Sequence, residues 1–435
     1  MSLGERTLDD YNVGGGEEPG TPVEVQQDGG CLAYYLDPAE GFRGWLAFEG
    51  QENPLAAGGF RVQRGLTAYK VRALARAMSL KQRLLGLAVD GAKCGIDYDP
   101  QSPGKREAMR RFVRFLRPFL LDRFSMGPDT GTVWSEIEDI ARGEGIPSVK
   151  IAIAKAQGLT QEDVLNRLRL LDTTLGGLTL GQGRAGHGLA HAALAALGWL
   201  RPSTLGGRLR VGMQGFGTLG RAAALSLANA GLRVTAVADE HGCLIAPDGV
   251  DVGALLATPP ATPVSSCGLA GSSGPREALF EVAVDLLVLA ACEDAIKLEA
   301  AVQLPACVKV IAVGANLGLA PAVEERLDRR GIVILPDFMG GCGGSASMNA
   351  LFGPPVCPSP VEFLDGTATA MRRLVHSILD TAAERGISPR AAALALCQER
   401  QPDACSKPYV GARSDERRIR ENNTEPTAGH ESTGR

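Results

Sequence analysis

The chain has 435 residues, more than a single hydrophobic core usually organises, so we expect at least two domains. It is 45% hydrophobic and 22% charged, which is ordinary for a soluble globular protein. The net charge of −4 gives no electrostatic reason to expect nucleic acid or an anionic membrane surface as a partner. No stretch approaches the ~20 apolar residues of a membrane span.

The ten cysteines are scattered singly, without a Cys-x-x-Cys pair, which is typical of reduced thiols in a cytoplasm. The chain begins without a basic and then apolar leader, so we predict a cytoplasmic location. His187 and His191 lie four residues apart in HGLAH, as metal ligands can, but neither the glutamate of the metalloprotease motif nor an obvious third ligand accompanies them. We interpret them as ordinary helix histidines and predict no metal.

The elements are predicted in chain order from hydrophobic periodicity. Residues 1–30 have little to bury and are predicted to be disordered. Helical spacing of apolar residues runs over 66–87, and a basic amphipathic helix is predicted over 105–120. From residue 209, short β-branched runs alternate with alanine-rich helices, which predicts parallel strands with right-handed crossovers in a doubly wound sheet.

The character of the sequence changes near residue 200, where WLRPSTLGG (199–207) supplies the composition of a linker. The predicted sheet ends near residue 344, and residues 351–397 are helical again and are predicted to return to the first domain. Residues 398–435 are polar and charged and are predicted to form a solvated tail.

A candidate cofactor site follows the first strand of this sheet. GFGTLG has the G-x-G-x-x-G spacing, and Asp239 ends the next strand 19 residues after the last glycine, where an acid can bind the adenosine ribose. Asp239 and the following Glu240 should repel a 2′-phosphate, so NAD is predicted rather than NADP. The candidate cofactor-binding residues of the turn are Gly215, Phe216, Gly217, Thr218, Leu219 and Gly220.

A second candidate is the lysine in AVDGAKCGID (88–97). Lys93 has glycine, alanine and cysteine around it, and we interpret the stretch as a tight turn that confines the amine. A desolvated amine near a second cation releases its proton more readily than a free lysine, and this suits acid–base catalysis.

Several short motifs occur in a fixed order around these two sites. GGFR (58–61), MSLK (78–81), DGAKCGIDYDP (90–100) and PDTGT (128–132) precede the glycine-rich turn, while GAN (314–316) and ILPDFMGGCGG (334–344) follow it. Together they resemble the glutamate/leucine/phenylalanine/valine dehydrogenase family over roughly residues 50–350.

This resemblance implies a two-domain α/β amino-acid dehydrogenase that acts as a homo-oligomer, commonly a hexamer. An N-terminal substrate-binding and oligomerisation domain (31–200) would precede a Rossmann-type NAD domain (201–350). By position, Lys81 would bind the α-carboxylate of an amino acid or 2-oxo acid, Lys93 would be the catalytic lysine and Asp129 the proton shuttle. Gly58 and Gly59 would flank the substrate. Two further residues, Ala291 and Asn316, would contact the cofactor.

The chain departs from the family pattern at the substrate side chain. Glutamate-specific members carry a lysine before the GG of GGFR and a serine after the late GG, where this chain has Ala57 and Met348. Without these groups a second carboxylate would be buried uncompensated, so an apolar amino acid is predicted as substrate. Three further departures replace a threonine, an asparagine and a glycine of the family, at Gly188, Gly341 and Cys94.

Two alternatives remain open. The protein could be a glutamate dehydrogenase whose γ-carboxylate is bound by another cation, such as Arg61 or Arg64. It could instead be a non-catalytic NAD-binding regulatory paralogue, which the departures at Gly188 and Gly341 favour and the joint retention of the two lysines and Asp129 opposes.

Overall fold

The computed structural model describes residues 23–27, 30–200, 209–259, 262–400 and 406–410. Most of the predicted disordered segment, most of the predicted linker and most of the predicted tail lie outside these residues. Among the described helices, none combines the length and the apolar character needed to cross a membrane.

The first sheet contains six strands in the order β1-β2-β3-β5-β4-β6. Their bounds are β1 Val23–Gln27, β2 Gly30–Leu36, β3 Arg43–Glu49, β4 Ala56–Val62, β5 Asp90–Ile96 and β6 Phe124–Pro128. β5 pairs antiparallel with β3 and parallel with β4, which in turn pairs parallel with β6. Residues 23–27, predicted to be disordered, form an edge strand on β2, and their Val-Glu-Val alternation has the period of a strand.

Five helices accompany this sheet, and the two helices predicted from periodicity are confirmed. The bounds are α1 Ala68–Leu84, α2 Lys105–Asp122, α3 Trp134–Gly143, α4 Ala152–Gln157 and α5 Gln161–Arg169. The Thr67 hydroxyl caps α1 by accepting a hydrogen bond from the Lys70 N–H at 3.3 Å. Helix α2 buries Phe112 and Leu116 in the same hydrophobic core as Phe60 of β4.

A short hairpin and a long helix connect the two sheets. The hairpin strands are β7 Thr174–Leu175 and β8 Leu178–Thr179, and α6 follows directly as Leu180–Leu200. Trp199 therefore belongs to the last turn of a helix and not to the predicted linker, because the run of apolar residues before it continues the helical packing surface.

The second sheet has the order β12-β11-β10-β9-β13-β14-β15, with β10, β9, β13, β14 and β15 parallel. The strands are β9 Arg210–Gln214, β10 Arg233–Ala238, β11 Cys243–Ile245, β12 Ser272–Gly274, β13 Leu286–Leu289, β14 Val310–Val313 and β15 Val333–Leu335. In β13, Leu286 and Val288 belong to one hydrophobic core and Leu287 and Leu289 to another, so both faces of the sheet are buried. The prediction of a doubly wound sheet is confirmed.

The remaining helices cover this sheet and return to the first one. Their bounds are α7 Thr218–Asn229, α8 Val252–Ala257, α9 Leu298–Gln303, α10 Pro321–Asp328, α11 Asp337–Gly340, α12 Gly343–Phe352, α13 Pro360–Arg385 and α14 Pro389–Glu399. Helix α13 packs against α6 and α12, while α14 packs against α1.

Part of the predicted polar tail packs onto the protein. Tyr409 is buried, with its ring centroid 5.9 Å from that of Phe352. The side-chain amide of Gln157 accepts from the Tyr409 N–H at 3.0 Å and donates to the Tyr409 carbonyl at 2.6 Å. The tail prediction is therefore wrong for residues 406–410, because one aromatic side chain and paired backbone bonds are enough to bind this short segment.

Candidate active site

The candidate active site lies on one face of the first sheet, where β5, β4 and β6 run side by side. Ala57 of β4 pairs with Ser125 of β6, and Gly59 pairs with Gly127. Alternate residues of a strand project to the same face, so these four residues form a surface of small side chains. Three of these residues, Ala57, Gly59 and Gly127, have no polar side chain, and we call the surface that they form the glycine floor.

Lys93 lies within β5 and not in the turn that its neighbours predict. All seven residues of β5 are buried, and Lys93 pairs with Ala47 of β3. The glycines serve close packing instead, because a Cβ on Gly91 would lie 2.2 Å from the backbone nitrogen of Ser79 in α1. The predicted turn is wrong, since glycine also occurs where a helix backbone approaches a strand closely.

The ammonium of Lys93 forms a buried ion pair with Asp129 at the end of β6. The distance from Lys93 Nζ to Asp129 Oδ2 is 2.5 Å, and Arg61 Nε donates to the same oxygen at 2.8 Å. Burial opposes ionisation, but the charges of Lys93 and Arg61 outweigh it and hold the pKa of Asp129 well below its usual range. The carboxylate is therefore ionised at neutral pH.

The loop after β6 holds Asp129 in place through Thr132. The Asp129 N–H donates to Thr132 Oγ1 at 2.9 Å, and this hydroxyl donates to the Phe60 carbonyl at 2.8 Å. Gly131 adopts a φ of +78°, and a Cβ there would lie 2.2 Å from the Val62 carbonyl oxygen. The turn that the sequence predicts around Asp129 thus fits tightly against β4.

Lys81 reaches the same site from α1. Its Nζ donates to Asn316 Oδ1 at 2.9 Å, so Asn316, predicted to contact the cofactor, binds this lysine across the two domains. Burial lowers the pKa of Lys81, and the nearby charge of Lys93 adds to the effect. A Cβ on Gly341 would lie 2.6 Å from Lys81 Nζ and 2.7 Å from the Asp337 carbonyl oxygen, so Gly341 packs directly against this lysine.

Two more cations lie beyond the other end of the glycine floor. Lys150 Nζ donates to Ser125 Oγ at 3.3 Å and lies 5.8 Å from the centroid of the Trp134 ring. Burial and the charge of Arg184 lower the pKa of Lys150 to about 7. Arg184 Nη1 donates to Ser347 Oγ and to the Gly344 carbonyl, each at 2.9 Å.

The sequence interpretation did not identify either cation. It named Arg61 and Arg64 as alternatives, but Arg61 binds Asp129, and Arg64 is highly exposed and pairs with Asp99 at 2.6 Å. A signal for Lys150 exists, because it is the only charged residue in IPSVKIAIA (146–154). Like Lys93, Lys150 is a lone lysine among apolar and small neighbours.

The substrate-site prediction for Met348 is also corrected. Its side chain lies in the hydrophobic core of the first sheet, whereas the adjacent Ser347 faces Arg184. Adjacent helix residues point about 100° apart, so an alignment shifted by one residue selects the wrong side chain. Gly188 has a packing reason: a Cβ there would lie 2.5 Å from the Gly343 Cα, where α6 and α12 cross.

The glycine-rich turn joins β9 to α7 as predicted. Gly215 has a φ of +94°, and a Cβ on it would lie 2.8 Å from the Cβ of Ala291, which follows the neighbouring strand β13. A Cβ on Gly220 would lie 1.9 Å from the Gly215 carbonyl oxygen. A Cβ on Gly217, by contrast, would meet nothing within 4 Å.

The space at Gly217 is what a pyrophosphate requires. Gly217 is the N-cap of the 12-residue helix α7, whose first-turn N–H groups and dipole favour an anion. Asp239 directly follows β10, but its carboxylate already accepts hydrogen bonds from the backbone N–H groups of His241, Gly242 and Val264 at 2.8, 3.1 and 2.7 Å. About one of its four acceptor positions therefore remains for a ribose hydroxyl. The residues present fit a dinucleotide.

A cleft with buried lysines and an ionised aspartate on one side and a dinucleotide turn on the other defines a two-domain dehydrogenase. Residues 176–407 match the family model described as Glutamate/Leucine/Phenylalanine/Valine dehydrogenase, and residues 36–142 match the Glu/Leu/Phe/Val dehydrogenase dimerisation domain. The chain belongs to this family, as its motifs predict. It is an amino-acid dehydrogenase, an oxidoreductase acting on CH–NH₂ groups.

Individual relatives agree with this assignment. An NADP-specific glutamate dehydrogenase of Halobacterium salinarum is 31% identical over 329 residues, covering 74% of this chain and 73% of the relative. A glutamate dehydrogenase of Thermotoga maritima is 30% identical over 293 residues, covering 66% and 67% of the two chains. Among solved structures, the leucine-bound hetero-hexameric glutamate dehydrogenase of Thermus thermophilus is 28% identical with a TM-score of 0.68, covering 86% of this chain and 88% of that one.

Proposed function

We propose that the protein catalyses the NAD(P)-dependent oxidative deamination of an L-amino acid to a 2-oxo acid and ammonia, or the reverse reaction. The observation that carries this proposal is the cluster of Lys81, Lys93 and Asp129. Both lysines are buried, Lys93 pairs with Asp129, and Lys81 donates to Asn316 of the second domain. Burying charges is costly, so such a cluster in a cleft favours a functional role over a structural one. The glutamate dehydrogenase relatives support the same reaction class.

Each residue has a role that its surroundings allow. Lys81, which is buried and donates to Asn316, binds the substrate α-carboxylate. Lys93 holds and activates the water that attacks the imino carbon, and Asp129, 2.5 Å from the Lys93 ammonium, exchanges protons with the amino group. A dinucleotide held through its pyrophosphate at the glycine-rich turn would supply the nicotinamide that accepts the hydride of the substrate Cα.

The cofactor preference of the proposal is NAD. Asp239 and Glu240 place two carboxylates after β10, where a 2′-phosphate would bring further negative charge, and Glu240 is largely exposed. The H. salinarum relative is NADP-specific, so both dinucleotides belong in the assay. A lower kcat/KM with NAD than with NADP would contradict the preference.

The sequence predicts an amino-acid substrate with an apolar side chain. This prediction depends on a substrate pocket that contains neither a cation nor a hydroxyl. Lys150, Arg184 and Ser347 supply both kinds of group near the glycine floor, so the absence of a lysine at Ala57 does not favour an apolar substrate.

We also propose that the protein works as a homo-oligomer in the cytoplasm. The match of residues 36–142 to a dimerisation domain and the hexameric state of the T. thermophilus relative support an oligomer. No disulfide joins the described cysteines, in keeping with a reducing compartment. Light scattering on the purified chain measures the subunit number, and a monomer would contradict the oligomer.

The experiment that tests the function is a rate assay of reduced-dinucleotide formation with a panel of L-amino acids and both dinucleotides. Lys93→Ala should abolish turnover, whereas Lys155→Ala, on the exposed face of α4, should leave it unchanged. Dinucleotide binding without turnover of any amino acid, in either direction, would overturn the enzymatic proposal and support a regulatory subunit.

A further inference from the structure

Lys150 is a buried cation and Arg184 a half-buried one, and neither has a carboxylate partner among the described residues. Neither forms an ion pair with any residue in the described part of the chain, whereas Arg61 and Lys93 share Asp129. The acid whose charge acts on Lys150 is Glu138, which already accepts hydrogen bonds from the Ser148 hydroxyl at 2.8 Å and the Val149 N–H at 3.2 Å. Two uncompensated charges side by side are destabilising unless an anion joins them.

Lys150 and Arg184 lie where they could bind the far end of a substrate whose reacting end contacts Lys93. A Cβ on Gly127 would lie 3.9 Å from Lys150 Nζ, and a Cβ on Gly59 would lie 3.2 Å from Lys93 Nζ. Gly59 and Gly127 are register partners on adjacent parallel strands, which are about 4.8 Å apart. A small molecule on the glycine floor would therefore contact Lys93 while its far end meets Lys150.

The small residue at position 57 belongs to the same arrangement. Ala57 pairs with Ser125, whose hydroxyl accepts the hydrogen bond from Lys150. A lysine at position 57 would bring a third cation to the place that Lys150 now occupies. Lys150 thus takes the place of the lysine that is absent at position 57. The positive charge comes from the segment before α4 and not from β4.

We propose that Lys150, with Arg184 and Ser347, forms a carboxylate-binding subsite that selects amino acids with an acidic side chain. The inference depends on the proposed function, since it assigns the substrate class of that site. Lys150 lies between the two segments that match the family models, residues 36–142 and 176–407, so neither match includes it. A ligand carboxylate would neutralise both cations and accept hydrogen bonds from Lys150 Nζ and the Arg184 guanidinium.

The test compares two substrates of equal length, glutamate and norvaline (2-aminopentanoate), which differ in the second carboxylate. Lys150→Met should lower kcat/KM for glutamate by about 100-fold or more, because a buried charge pair is lost, and should leave norvaline within about threefold. Lys155→Met is the matched control in the adjacent helix, since its ammonium is exposed. Ala57→Lys combined with Lys150→Met should recover much of the glutamate activity by returning the charge from the other strand.

A binding measurement keeps this test separate from turnover. Isothermal titration of the unmodified protein with glutarate, an unreactive dicarboxylate, should show binding that valerate lacks and that Lys150→Met removes. If no amino acid is turned over but glutarate still binds through Lys150, the proposed function fails and the subsite stands. If norvaline or leucine is preferred to glutamate and glutarate does not bind, the function stands and the subsite is overturned.

Proton uptake gives a further readout of the same binding event. Lys150 faces Arg184 from α6 and Glu138 from α3, and a bound carboxylate would raise the pKa of its ammonium above the present value of about 7. Glutarate binding at pH 8 should therefore take up a proton, which appears as a difference in heat between buffers of different ionisation enthalpy. Binding with no such difference would contradict the role of Lys150.

Discussion

Gly59 and Lys93 are so close that a single methyl group at position 59 would lie 3.2 Å from the Lys93 ammonium. The same methyl would lie 2.9 Å from the Asp129 Cβ, so β4 supports the ion pair from below without leaving room for a side chain. The geometry of the reacting groups is therefore set by a glycine on a neighbouring strand.

We expect Gly59→Ala to lower kcat by about 100-fold, because displacement of catalytic groups by about an ångström costs that much. Gly143→Ala is the control, since a Cβ there meets nothing within 4 Å. Steady-state kinetics and a thermal melt of both variants check this. A Gly59→Ala enzyme with unchanged kcat would contradict the close fit.

Asp129→Asn should lower kcat by about 10²–10⁴-fold, because the amide cannot exchange the proton. Since the folded-state pKa of Asp129 lies below the ordinary value of 3.8, its stabilising contribution is present above pH 3.8 and is lost as the pH falls towards the folded value. The variant should therefore show a shallower loss of stability below about pH 4. Kinetics and urea unfolding at several pH values measure both effects, and parallel acid profiles would argue against the buried ion pair.

The last two glycines of the dinucleotide turn should respond differently to alanine. Gly217→Ala should leave the unfolding midpoint unchanged and weaken NADH binding about tenfold or more, because the methyl group enters only the space of the pyrophosphate. Gly220→Ala should instead destabilise the fold by about 2 kcal/mol, since its Cβ collides with the Gly215 carbonyl oxygen. Fluorescence titration with NADH and denaturant unfolding separate the two, and equal behaviour would contradict the assignment.

Lys150→Met should stabilise the protein while it impairs the recognition of acidic substrates. The pKa of Lys150 falls from 10.5 to about 7 on folding, so the wild type becomes more stable as the pH rises between these values, where only the unfolded chain retains the proton. At and below pH 7 the variant should gain up to about 5 kcal/mol and should lack this rise. Urea unfolding at pH 6 and pH 9 measures these changes in the free energy of unfolding. The control Lys155→Met is expected to lie within about 0.5 kcal/mol of wild type. A destabilised variant at pH 6 would contradict the uncompensated charge.

Much of the architecture was accessible from local patterns. The alternation of β-branched runs and alanine-rich helices predicted β9, β10, β13, β14 and β15, because the period of a strand or a helix is set within a few residues. The order of short motifs indicated Lys81, Lys93 and Asp129, and the structure brings all three together in the cleft.

The sequence alone therefore determined the doubly wound sheet, the glycine-rich turn and the identity of the cluster around Lys93. Only the tertiary structure decided that Lys93 lies in a strand, that Ser347 and not Met348 faces the cleft, and that Lys150 lies beside Ser125. These relations depend on which strands pair and which helices cross, and residues that are far apart in the chain meet there. Local periodicity carries no information on such contacts. The charge of the substrate site, however, depends entirely on these contacts between distant residues.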